Sequence, residues 1–283
     1  MKTAFAVNIW GNSMHSCSAI MIGIQLKKID PMSRRIVHTQ SIQPSELSEL
    51  WEVKQFGTDI YQINEWLIKA KINLWTLINT SIVMYLDLDV MLNLQSSHIN
   101  RMWSFSQRHL RMNNLLAPRS GKKCLNGGWN ILKPNIMTYK ILANETRFKP
   151  TLSNFAYNCP ARNTDQYYLN KVFPQFVRMP GFMGYHTSRH RCATRINNIH
   201  FLHFFGRFMP WHDSCHSCLR EGGFCSYYNA SKCNSIWQLQ KNFWKHGENI
   251  SSCRLFHRTK FMRCIVWSCI VFVVCKYVSR TKT

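Results

Sequence analysis

Residues 3–9 form a short, almost unbroken apolar run, which predicts a buried strand at the start of the chain. Residues 18–28 predict an apolar helix. After a Pro-containing turn at Asp30-Pro31, residues 35–39 predict a second strand. Between Trp51 and Leu77 apolar side chains recur at helical spacing, at Ile60, Ile63, Leu67, Ala70, Leu74 and Leu77, and predict helix. Residues 81–92 are β-branched and apolar, a strand with Asp87 and Asp89 set into it. Further on, 100–111 predicts a helix, 115–118 a short strand, and 129–132 a strand closed by Lys133-Pro134. Residues 163–172 predict a helix with Asp165 in its first turn. Strands alternating with helices predict an α/β sheet packed on both faces. No internal repeat and no low-complexity linker interrupts this pattern.

The pattern fails after Trp211. Residues 213–253 are rich in cysteine and aromatics with poor periodicity, and Cys215-x-x-Cys218 is followed by Cys225 and Cys233. These four would hold zinc or two disulfides; the second pair is spaced loosely for zinc, which favours a stapled or packed extension. Residues 264–278 are apolar apart from Ser268 and Lys276 and are flanked by basic residues. Spanning a bilayer takes about 20 residues. A short anchor with Lys276 snorkelling and a buried helix therefore both stay open.

Composition narrows the partners. The 283 residues carry 36 Lys plus Arg against 13 Asp plus Glu, a formal net charge of +23. Such an excess suits anions: nucleic acid, phosphorylated small molecules or an acidic membrane surface. With 46% hydrophobic residues, a largely disordered chain is excluded. Twelve cysteines leave the redox compartment open, and sequons at Asn79, Asn144, Asn229 and Asn249 matter only in a secretory compartment. The N-terminal apolar run is too short for a signal peptide, so the chain is expected in the cytosol, or in the lumen if a signal lies upstream.

Scarce acids make Asp87 and Asp89 conspicuous. In an extended chain, residues two apart project to the same face, so both carboxylates are expected at one spot at the end of a buried strand. Two like charges there call for a cation, and hard oxygen ligands suit Mg²⁺ or Mn²⁺ completed by a phosphate-bearing substrate. A second cluster, His203-Phe204-Phe205-Gly206-Arg207-Phe208-Met209-Pro210-Trp211, sets a histidine into a tight turn. Its imidazole is a candidate ligand with backbone amides nearby.

Four separated segments of the chain resemble the family 8 glycosyltransferases, and within them the glycogenin-like proteins. Tyr85-Leu86-Asp87-Leu88-Asp89 resembles the Asp-x-Asp strand end that binds Mn²⁺ and the donor diphosphate. Asn126-Gly127-Gly128, followed by residues 129–134, is similar to the family's Asn-Ser/Ala/Gly-Gly turn and strand. Asp165-Gln166 with Leu169-Asn170 resembles its Asp-Gln-x-x-Leu-Asn helix start, and the His203 cluster resembles His-Phe-x-Gly-x-x-Lys-Pro-Trp. A weaker match is Lys71-x-x-x-Trp75. The resemblance covers about residues 4–211.

It implies a GT-A type, Rossmann-like nucleotide-sugar-binding domain over 1–211, a cysteine- and aromatic-rich extension over 212–260 and an apolar helix with basic flanks over 261–283. It implies a hexosyltransferase that uses a UDP-sugar, UDP-glucose-like, with retention at the anomeric carbon. Asp87, Asp89 and His203 would ligate Mn²⁺ or Mg²⁺. Asp165, Gln166 and Lys71 would serve catalysis, and Asn12, His15, Leu88, Asn126, Gly127, Gly128, Gly206 and Arg207 would contact the donor, with Asn12 and His15 in the uridine site. Two positions depart from the pattern: Met209 replaces the Lys that contacts the donor phosphates, and Arg162 replaces an Asp found three residues before the Asp-Gln pair of glycogenins. Losing one charge-assisted phosphate contact costs roughly 1.5–3 kcal/mol. A catalytically weak or inactive nucleotide-sugar binder of the same fold is therefore the alternative, and a basic nucleic-acid or membrane-surface protein a more distant one. The acceptor is open between protein, glycan and inositol-type lipid, and so is the oligomeric state, a homodimer included.

Overall fold

The computed structural model describes residues 2–10, 14–41, 45–92, 96–110, 115–120, 124–147, 164–180, 185–186 and 201–203. Strand β1 (Thr3–Ile9) leads into helix α1 (Met14–Ile29), then β2 (Arg34–Thr39), the single turn α2 (Ser45–Ser48), β3 (Glu52–Gln55) and α3 (Ile63–Ile72). A 3-10 turn, Asn73–Thr76, closes α3 before β4 (Ile82–Leu86), β5 (Val90–Leu92) and α4 (Ser96–His109). Four short strands follow: β6 (Leu115–Ala117), β7 (Arg119–Ser120), β8 (Cys124–Leu125) and β9 (Trp129–Leu132). The described chain ends with α5 (Ile136–Glu145), α6 (Asp165–Val172), β10 (Val177–Arg178), β11 (Tyr185–His186) and β12 (Phe201–His203).

Seven strands make the main sheet in the order β10-β6-β9-β4-β1-β2-β3. Neighbours pair in parallel except at β9, which runs antiparallel to both β4 and β6. The alternation of each strand sorts its side chains between two cores. Phe5, Val7 and Ile9 of β1, with Met84 and Leu86 of β4, pack on one face against α1 and α4. Ala4 and Ala6, with Val83 and Tyr85, pack on the other against α3, α5 and α6. Burying each large apolar side chain contributes about 1.5–3 kcal/mol. The chain order reverses between β1 and β4, and in such sheets ligands bind outside the carboxyl ends of the strands at that point.

Four expectations need correction. Residues 51–77 are not one helix: Glu52–Gln55 is an edge strand parallel to β2, and Gly57, at φ 59°, turns the chain before α3 begins. Any side chain at 57 would also meet Ile60 Cδ1 at 2.7 Å. Residues 81–92 form two strands rather than one, broken after Leu86. Helix α1 starts earlier than expected, at Met14, and α4 at Ser96. Helix α5 follows directly on Pro134, capped by Asn135, whose side chain accepts the Met137 and Thr138 N–H groups. No helix among the described residues is long and apolar enough to cross a membrane. The cysteine-rich stretch and the apolar run at 264–278 lie outside the described residues.

Candidate functional site

Polar side chains gather where β1 and β4 end, and Lys71 is at their centre. It lies in the last turn of α3, only 3% exposed. An ammonium has three donors. In Lys71 they point to the Gly127 carbonyl at 2.9 Å, to Asp165 Oδ2, and to Asp87 Oδ1 at 3.4 Å. Burial alone would push its pKa down, but the Asp165 and Asp87 carboxylates overcome this, so Lys71 titrates above its ordinary value. The ammonium also sits over the Tyr85 ring, 4.3 Å from its centroid. Its backbone N–H is within 3.2 Å of the Asn8 amide oxygen when that amide is turned to donate to His38 Nδ1. One residue thus joins β1, β4, the 126–128 turn and α6.

The Asn126-Gly127-Gly128 turn is built for close approach. Asn126 Oδ1 accepts from the Gly128 N–H at 2.7 Å, and the Gly128 carbonyl accepts from the Asp87 N–H at 2.6 Å. A Cβ at 127 would stand 2.6 Å from Asp165 Oδ2, so glycine is what lets α6 come this near. Asn170, a turn further along α6, accepts from the Leu125 N–H at 2.9 Å and donates to the Gln166 carbonyl at 2.7 Å. Asp165 starts α6, where a carboxylate is favoured by the helix dipole, and Gln166 follows it in the same turn.

The two acids do not share a strand face. Strand β4 ends at Leu86, and Asp87 to Val90 is a turn closed by the Val90 N–H to the Asp87 carbonyl at 3.2 Å. Asp87 turns toward Lys71 and Tyr85, whose hydroxyl donates to Asp87 Oδ1 at 2.5 Å. Asp89 lies within electrostatic reach of His15, opposing the fall in pKa that burial imposes on that imidazole. Leu88 packs into the core. His203 closes β12, whose antiparallel register with β5 sets it opposite Val90, the residue after Asp89. Among the described residues, no group of three or more His, Cys, Asp or Glu side chains is arranged to hold a metal ion. The His203 side chain, Asn12, Arg162, Gly206, Arg207 and Met209 lie outside the described residues.

The structure brings Lys71, Asp87, Asn126, Gly127, Gly128, Asp165 and Gln166 together, with His15 within electrostatic reach of Asp89. Asn8, Tyr85 and Asn130 were not singled out from the sequence. Asn130 Nδ2 donates to the Gly127 carbonyl at 3.3 Å. The signal that could have found Tyr85 was alternation: it precedes Asp87 by two and so leaves the strand on the same side. A separate groove of about 760 Å³ opens between α3, α5 and α6, lined by Phe56, Ile68, Ile72, Tyr139, Ala143 and Tyr168.

No protein-family model matches the sequence, and no curated protein matches it. Solved structures do. The glycosyltransferase GlyE of Streptococcus pneumoniae TIGR4 is similar with a TM-score of 0.53 at 17% identity, over 75% of this chain and 56% of that one. The galactosyltransferase LgtC, solved with donor and acceptor sugar analogs, gives 0.52 at 14% identity, over 86% of this chain and 96% of that one. The bifunctional glycosyltransferase WbbM gives 0.53 at 10% identity, over 74% of this chain and 47% of that one. This chain spans about half the length of GlyE and of WbbM and nearly all of LgtC. These likenesses show a fold: an α/β domain with a mixed, mostly parallel sheet of the GT-A glycosyltransferase type.

Proposed function

We propose that the chain is a metal-dependent glycosyltransferase that moves a hexosyl group from a UDP-sugar to an acceptor with retention. The observation that supports this most is the assembly on Lys71 of Asp87, the Asn126–Gly128 turn and Asp165 at the carboxyl ends of β1 and β4, within a glycosyltransferase-like fold. Asp87 and Asp89 would hold Mn²⁺ or Mg²⁺, with His203 as third ligand; two carboxylates and an imidazole fit such an ion, and the His203–Val90 register supports the third position. Bound there, the ion would neutralise charge developing on the departing diphosphate. Asp165 and Gln166 would grip the sugar hydroxyls and hold the anomeric carbon toward the acceptor. With its donors on Asp87, Asp165 and Gly127, Lys71 would act by positioning them, and His15 would lie against the uridine.

The weakly active or inactive binder is kept as second reading because of Met209. The compartment is also a proposal. Cys124, beside the 126–128 turn, is disulfide-bonded. Such bonds persist in oxidising compartments. Asn79 and Asn144 are exposed sequon positions. The disulfide favours the lumen over the cytosol expected from the N-terminus, and a glycosidase-induced mass shift at either asparagine would carry that choice.

The deciding experiment is a donor panel with Mn²⁺, read by UDP release. Release that Asp87→Ala abolishes supports the transferase. UDP binding without release from any donor supports the binder. Salt-sensitive nucleic-acid binding that UDP leaves unchanged would move the chain to another class.

A further inference from the structure

Strand β4 sends Val83, Tyr85 and, just past its end, Asp87 to the side of the sheet that carries α3 and α6. Tyr85 is 2% exposed, and its hydroxyl lies 2.5 Å from Asp87 Oδ1, the range of a phenol donating to a charged carboxylate. The same oxygen is 3.4 Å from Lys71 Nζ, and the Asp87 backbone N–H is held by the Gly128 carbonyl at 2.6 Å. Two inward donors on one oxygen and a pinned main chain leave the carboxylate little rotation. We propose that Tyr85 is a positioning residue for the cation site: its hydroxyl, bonded to Asp87 Oδ1, fixes the carboxylate that would ligate a divalent ion. This rests on the metal-dependent reading above.

The competing account is that Asp87 merely satisfies a buried phenol, since buried tyrosines need a partner for the hydroxyl. The two accounts part on one variant. Tyr85→Phe keeps the ring, its packing and the Lys71 contact, and removes only the donor. Partners that orient metal ligands typically alter affinity about 10- to 100-fold when lost. The full-length Tyr85→Phe protein should therefore bind Mn²⁺ about ten-fold more weakly by calorimetry with UDP present. Its Mn²⁺ requirement for UDP release should rise more than its kcat falls. Equal Mn²⁺ affinity in the folded variant would overturn the proposal and leave the transferase reading standing. Wild-type protein that binds UDP but no Mn²⁺ would overturn both.

Should Tyr85→Phe not fold, 3-fluorotyrosine placed at position 85 keeps ring and donor. Its ¹⁹F resonance should move as Mg²⁺ is titrated in with UDP. A resonance that stays still while the metal binds would sink the proposal.

Discussion

At the outer edge of the sheet Arg34 meets Glu52 through a two-pronged contact, 2.9 Å from Nε to Oε1 and 2.6 Å from Nη2 to Oε2, with side chains 34% and 46% exposed. At its centre Lys71 meets Asp87 and Asp165 with 4% of its own side chain exposed. The edge pair is bidentate and yet has the weaker consequence. Water solvates both partners there, so separating them costs little. Around Lys71 the protein replaces that solvent with a carbonyl, two carboxylates and a phenol ring, so the cation cannot leave without stranding what it holds. Exposure, rather than the number of prongs, separates the two clusters.

Removing the central cation should have the largest effect. Lys71→Met leaves Asp87 and Asp165 facing each other without a counter-charge and should destabilise the fold by about 3 kcal/mol, the low end for a broken buried pair because both acids keep some solvent access. UDP release should vanish with it. Because the folded pKa of Lys71 is raised, its contribution is fully present below about pH 10.5 and is lost only as pH rises through the higher folded value. Urea denaturation at pH 7 and at pH 9 should therefore give the same difference between wild type and variant. A loss below 1 kcal/mol would mean the centre is no more consequential than the edge.

His38 sharpens the contrast from the other direction, as a buried base kept neutral. Burial, with the nearby Lys54 charge, brings its pKa down to about 4. The unfolded chain takes up a proton near pH 6.5 that the folded chain refuses until about 4, so this part of the stability is present above pH 6.5 and lost as pH falls toward 4. The loss is about 3 kcal/mol. Wild type should lose that much more than His38→Gln between pH 7 and pH 4 in urea titrations. Parallel loss in both proteins would show that His38 is solvated.

What the sequence made legible follows the same division. Strands β1, β2 and β9 were visible because their burial comes from their own apolar residues, and Asp87, the 126–128 turn and Asp165 were visible because the family resemblance marks each locally. Strand β3 was missed because Glu52–Gln55 is an edge strand with mostly exposed side chains, so no apolar alternation announces it. Helix α5 does not stand out in the apolar pattern because Pro134 reads as an end, though Asn135 after it is a strong cap. The placement of both acids on one strand face failed because the turn begins at Asp87, where period two no longer applies. Lys71 was tied to the site only by its weak motif. Its partners lie 16, 56 and 94 residues away, and no local pattern encodes three such meetings.

Gly127 tests how finely the centre is fitted. In Gly127→Ala the new methyl would start 2.6 Å from Asp165 Oδ2, an oxygen that Lys71 holds in place. The atom met is the end of a side chain, so Asp165 should yield rather than the backbone. The expected cost is about 1 kcal/mol of stability, from overpacking, with about a ten-fold fall in UDP release from displacing the carboxylate. Unchanged release would mean that Asp165 works without the Lys71 contact.

The smallest effect belongs to the edge. Arg34→Ala removes the fork on Glu52 and the 3.0 Å bond from Nη1 to Thr80 Oγ1, which ties β2 to the turn before β4. Exposed pairs contribute about 0.2–1 kcal/mol, and this one should fall near the upper end because the contact is bidentate and a second bond is lost with it. Glu52 titrates below its ordinary value, first because Arg34 donates to it, so its share is present above about pH 4.5 and fades as pH falls through the lower folded value. Salt should weaken the pair, since its charges are within reach of the ion atmosphere. Urea midpoints of wild type and Arg34→Ala should converge between 0.05 M and 1 M NaCl, while those of wild type and Lys71→Met stay apart. Convergence of the second pair as well would mean that solvent ions reach Lys71, and the buried centre would then be an edge by another name.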